Sequence, residues 1–263
     1  MDLRLAGKIA LVAASSRGLG RAAAQALADE GADVAITARH QDELERTAHE
    51  IATSSGRRVL PVVADLAVAA DIDHVVETTL GAFGRVDVLI NNAGGPPPGR
   101  AVDVTEADWR AAYELTLMSA VRLVQGVLPG MRERGWGRIV NITSISVKQP
   151  LPDLVLSNAL RAGVVGYAKT LASEVAAEGV TVNNVCPGYT LTDRVRTLAQ
   201  ARADAAGIDV SQAMATWEDA IPAHRLGRPE ELAALITFLA SEQAAYITGT
   251  TIQVDGGLYA GLL

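Results

Sequence analysis

Short apolar runs alternate with longer segments of helical spacing along the whole chain. Seven of the runs read as buried strands: "KIALVAA" (8–14), "DVAITA" (33–38), "RVLPVVA" (58–64), "VDVLINN" (86–92), "GRIVNIT" (137–143), "VTVNNVC" (180–186) and "TTIQV" (250–254). Strands covered on both faces show near-continuous apolar runs of this kind rather than strict alternation. Between them lie segments such as "GLGRAAAQALADEG", with small apolar residues at helical spacing and Gly31 as a stop. Alternating strands and helices predict right-handed crossovers and a doubly wound parallel sheet, an α/β fold with helices on both faces, in one domain over 1–263. The "GGPPPG" stretch (94–99) predicts a stiff loop after the fourth strand, since prolines fit neither a helix interior nor a central strand. Residues 190–227 are polar and weakly periodic, and predict a lid over a substrate.

Composition adds little to the fold and more to the class. The 263 residues are 49% hydrophobic but only 4% aromatic, so the core is aliphatic, as a helix-covered parallel sheet requires. A formal charge of −7 points away from nucleic acid and anionic membranes as partners. Cys186 is the only cysteine, which excludes a disulfide within the chain and points to a cytoplasmic setting. The first apolar run, between Lys8 and Ser15, is too short to span a membrane and lacks a signal-peptide pattern. His40, His49, His74 and His224 are scattered without metal-ligand spacing, and no metal is predicted.

The first strand runs into "AASSRGLG" (13–20) and then a helix. Glycines at such a junction let the backbone turn tightly and bring amide N–H groups and a helix N-terminus against a pyrophosphate. The candidate cradle is Ala14, Ser16, Arg17, Gly18, Leu19 and Gly20. The second strand ends in "TARH", with no carboxylate before Asp42, where an acid holding a ribose 2′-hydroxyl would stand. Arg39 follows that strand and Arg17 lies in the glycine loop. Two guanidiniums suit a 2′-phosphate through charge-assisted hydrogen bonds, so the expected cofactor is NADP(H).

The order of motifs resembles the short-chain dehydrogenase/reductase family, close to its β-ketoacyl-carrier-protein reductase branch. The family's T-G-x-x-x-G-x-G stands here as Ala13–Gly20, N-N-A-G as Asn91–Gly94, P-G as Pro187–Gly188 and V-D-G-G as Val254–Gly257. The match covers nearly the whole chain in the right order. The first glycine is Ala14, which fits only if its φ stays negative or at a cost in strain. The resemblance implies that Asp65 and Leu66 contact the adenine, that Asn91, Ala93 and Gly94 line the ribose, and that Pro187, Gly188, Thr190 and Thr192 line the nicotinamide side. It also implies a homo-oligomer, a tetramer packed through the helices spanning 111–131 and 162–176, and a small-molecule substrate.

The family's chemistry uses a tyrosine as proton donor, a lysine four residues on, a serine thirteen residues earlier and an asparagine on another helix. Ser144 matches the serine. The tyrosine's place holds Ser157, the lysine's Arg161 and the asparagine's Thr116. None of the five tyrosines has a lysine four residues later. An aliphatic hydroxyl is a far weaker acid than a phenol, and a guanidinium stays charged, so Ser157 and Arg161 can orient and stabilise an oxyanion but not protonate it. Arg161 can still bind the cofactor by holding its ribose hydroxyls, as the lysine would. Lys148 and Tyr189 are the candidate substitute donors. Two functions stay open: reduction of a carbonyl, enone or quinone-like compound by an altered route, or a non-redox lyase, isomerase or cofactor-binding protein on the same fold.

Overall fold

Every strand run found in the sequence becomes a strand, and all neighbours in the sheet pair in parallel. The computed structural model describes residues 1–262. The strands are β1 (Ile9–Val12), β2 (Asp33–Ala38), β3 (Val59–Val63), β4 (Val88–Asn91), β5 (Gly137–Ile142), β6 (Val180–Pro187) and β7 (Thr251–Val254). They lie in the order β3-β2-β1-β4-β5-β6-β7.

The period-two direction of strand side chains splits the core between two faces. Ala10 and Val12 of β1 join one apolar cluster with Ala24 and Leu27 of α1 (Gly18–Asp29) and Ile236 of α9 (Pro229–Leu239). Leu11 and Ala13 join the other, with Val75 of α3 (Ala69–Phe83), Leu123 of α5 (Ser119–Glu133) and Ala168 of α6 (Val155–Val175). The helix α2 (Gln41–Ser55) completes the first face and α4 (Glu106–Tyr113) leads into the second.

Strand order reverses between β1 and β4, so the loops after these two strands diverge and leave a crevice at the carboxyl edge of the sheet. The polar 190–227 segment holds two helices, α7 (Asp193–Ala206) and α8 (Val210–Ala220), rather than irregular chain. Only Val195, Ala199 and Ala203 of α7 are buried, a stripe one residue wide. Among the described residues no helix is long and apolar enough to cross a membrane.

Candidate active site

The crevice is a cleft of about 550 Å3. Ala14, Ser16, Arg17, Gly18 and Leu19 form one wall, and the next strand ends add Arg39 and then Asp65 with Leu66. Across them stand Ala93 and Gly94, Ser144, Ser157 and Arg161, and Pro187, Gly188, Tyr189, Thr190 and Thr192. Most of the residues expected at one site are therefore brought together.

The glycine loop is held from behind. Ala14 takes φ 47°, in the left-handed region that costs an L-residue about 1–2 kcal/mol, so the strained alternative for this position is the one adopted. Its carbonyl, turned by that conformation, accepts a hydrogen bond from Asn92 Nδ2 at 2.9 Å. Gly20 lies directly beneath, and a Cβ there would stand 2.4 Å from the Ala14 oxygen. Ala14→Gly should relieve the strain, minus the entropy a glycine gains when unfolded, for a net stabilisation of about 0.5–1 kcal/mol. Chemical denaturation with unchanged m-value checks it.

Arg161 is buried, and its Nη1 donates to the carbonyls of Ile142 and Thr143 at 3.0 and 3.1 Å. These are the last residues of β5 and the first beyond it, so the sheet edge fixes the guanidinium at the cleft. Burial, and then the neighbouring charge of Arg194, push its pKa down to about 10, still leaving it charged near neutrality. Ser157 is also buried, one helical turn earlier on the same face of α6, and makes no side-chain hydrogen bond among the described residues. Ser144 Oγ accepts from the Ser146 amide at 3.1 Å, which leaves its own proton free to donate.

Besides Gly20, which lies beneath the loop, three expected residues are placed off the cleft wall. Lys148 follows the short 3-10 turn Ile145–Val147 and is not part of the cleft wall. Asn91 and Thr116 lie behind it, around a separate cavity of about 20 Å3 that Arg161 also borders. Thr116 sits in a π-turn (Glu114–Met118), an arrangement that widens a helix and turns its side chain inward. The Asn91 Oδ1 and Thr116 Oγ1 atoms are both buried without a partner among the described residues, and the cavity both residues line has room for one water.

Asn91 is the end of a ladder. Its amide donates to Asn141 Oδ1 at 2.8 Å, Asn141 donates to Asn184 Oδ1 at 2.9 Å, and Asn184 donates to Thr251 Oγ1 at 3.2 Å. The four are cross-strand neighbours on β4, β5, β6 and β7. Asparagine is depleted in strands, and its presence at matching depth in "VLINN", "RIVNI" and "VNNVC" was the available signal.

Tyr189 lines the cleft but stacks on Trp217, with ring centroids 4.4 Å apart and planes 8° from parallel. Burial raises its pKa, an effect only partly offset by Arg202, so the phenol keeps its proton. Thr192 Oγ1 caps α7 by accepting from the Val195 amide. Beside the glycine loop, Glu43 Oε2 accepts from Ser16 Oγ at 3.0 Å, placing a carboxylate in a region where the sequence predicts arginines alone. Arg194 was also missed, masked by the charged run around it. It lines the cleft, and its Nη2 donates to the Pro96 carbonyl at 2.7 Å.

A glycine loop at the switch point of a doubly wound parallel sheet, opening on a cleft of this size, defines a dinucleotide-binding protein of the Rossmann class. Within that class the chain belongs to the short-chain dehydrogenase/reductase family: the family model described as enoyl-(acyl carrier protein) reductase matches residues 13–259. The chain is 38% identical to the 3-oxoacyl-[acyl-carrier-protein] reductase FabG of Escherichia coli over 96% of its length and 98% of that protein's. It superposes with TM-score 0.95 and 37% identity on the L-sorbose reductase of Gluconobacter frateurii complexed with NADPH and L-sorbose, covering 100% of both chains. A variant of actinorhodin polyketide ketoreductase with NADPH matches with TM-score 0.92 and 33% identity, over 96% of this chain and 97% of that one.

Proposed function

We propose that this protein is an NADP(H)-dependent reductase of a small carbonyl compound, or of an activated enone or quinone-like one, that works without a positioned acid. The observation carrying this reading is that Ser144, Ser157 and Arg161 line the same cleft as the glycine cradle. The residues fit the dinucleotide: Gly20 leaves no space for a side chain under the loop, and Arg17 and Arg39 border the end where a 2′-phosphate would lie. The reductases bound to NADPH among its structural relatives support the same cofactor. When bound, NADPH supplies the hydride for the reaction.

The chain's own residues then handle the oxygen. Ser144 and Ser157 orient it through their hydroxyls. Arg161 adds fixed positive charge that needs no reorganisation as negative charge develops. Preorganised donors of this type are worth about 2.7–4 kcal/mol each. Neither hydroxyl nor guanidinium releases a proton readily near neutrality, so the site favours products that are stable as anions, such as enolates and hydroquinones. Tyr189, protonated, is the one tyrosine among the described residues that line the cleft.

Arg39→Ala tests the cofactor assignment. Loss of a charge-assisted contact should weaken NADPH by about 10- to 150-fold and leave NADH within about twofold. Calorimetric titration of both dinucleotides measures this, and an equal loss for each would refute the 2′-phosphate contact.

A further inference from the structure

We infer that the substrate is a carbonyl compound bearing a carboxylate and an aliphatic body, with the carboxylate held by Arg194 beside Arg161. This rests on the reductase reading above and narrows its substrate class.

Charge is segregated along the cleft. Its three acidic residues are Glu43, Asp65 and Asp193. Glu43 is bonded to Ser16 beside the glycine loop, and Asp65 follows the edge strand β3, so both belong to the adenosine half. Asp193 faces Arg17 at 3.7 Å. The other half holds Arg161 and Arg194, and neither forms an ion pair with any described residue. Among the described residues Arg161 donates only to two carbonyls, and Arg194 only to the Pro96 carbonyl.

Two guanidiniums, one of them buried, are thus set into one cavity with no anion among the described residues to pair them. Like charges placed together cost free energy, and Arg194 adds to the downward shift of the Arg161 pKa. A fold keeps such an arrangement where a ligand supplies the missing charge. The pyrophosphate is the competing anion, since Thr192 and Asp193, just before Arg194, meet Gly18 and Arg17 of the glycine loop. The Arg194 side chain itself, however, turns to the other loop and donates to the Pro96 carbonyl. The pyrophosphate cradle lies at the N-terminus of α1, whereas Arg194 packs against Gly95, beyond the Asn91–Gly94 segment. A carboxylate matches the planar donor fork of arginine, and Leu115, Ile145, Leu151, Leu154 and Leu198 give the same cleft an aliphatic wall.

The test uses six-carbon 2-, 3- and 4-oxo acids and their methyl esters, titrated into protein saturated with NADP+, with wild type compared to Arg194→Leu. The expected result is that at least one acid binds about 10- to 150-fold more tightly than its ester. Arg194→Leu should erase that preference while holding NADP+ affinity within about twofold. Arg194→Lys should restore part of it, which guards against a folding defect in the leucine variant. Equal binding of acids and esters, or no binding of any acid, overturns the inference. So does a variant that loses NADP+ affinity in step with the acid. NADPH oxidation on the same panel separates the two readings. Arg194-dependent acid binding without oxidation keeps the anion site and removes the reductase. Oxidation with neutral carbonyls and no preference for acids does the reverse.

Discussion

Gly20→Ala is expected to weaken NADPH binding by about 100-fold or more while costing about 1–3 kcal/mol of stability. The added Cβ would stand 2.4 Å from the Ala14 oxygen and 2.9 Å from both Asn92 Nδ2 and Ser15 Cα. Two of these atoms are backbone and the third makes the hydrogen bond that fixes Ala14, so nothing flexible can yield. Either the first turn of α1 moves outward or the loop does, and both movements displace the amides that form the cradle. Calorimetry with NADPH and thermal unfolding report the two losses separately. An alanine variant that binds normally would show that the loop is looser than its packing implies.

Arg161→Met is expected to leave stability within about 1 kcal/mol of wild type or above it, and to lower turnover by about 100-fold or more. A guanidinium whose pKa burial pulls down to about 10 carries roughly 3 kcal/mol of cost in the folded state. Its two hydrogen bonds to the carbonyls of Ile142 and Thr143 offset part of that. Methionine removes both the cost and the bonds and fills similar volume, so the terms nearly cancel. Turnover has no such compensation, because among the described residues Arg194 is the only other cation lining this half of the cleft. A purely structural arginine would give the opposite pattern, with a large fall in Tm and little effect on rate.

The strands were legible because a sheet buried on both faces leaves continuous apolar runs, and the cleft because motif spacing fixes where loops fall. Ser157 and Arg161 could be paired from their separation alone, since four residues is one helical turn. What escaped has specific reasons. The buried stripe of α7 is mostly alanine, which a hydrophobic period hardly registers against its many charges. Arg194 stands between an aspartate and a valine in that same run and reads as solvated surface. Lys148 read as a pocket residue because it lies four positions past Ser144, but the 3-10 turn between them has three residues per turn and ends outside the cleft wall. The asparagine ladder is a property of strand register, visible only once β4, β5 and β6 are aligned.

The central claim is that this cleft transfers a hydride and that Arg161 stabilises the charge so formed. Incubating wild type and Arg161→Met with NADPH deuterated at the transferable position, and a panel of ketones, 1,3-dicarbonyls, oxo acids and quinones, tests it directly by mass spectrometry of the products. The account predicts deuterium in at least one product with wild type, on activated acceptors before simple ketones, and its near loss with the folded variant. Label in no product, or equal label from both proteins, would contradict it.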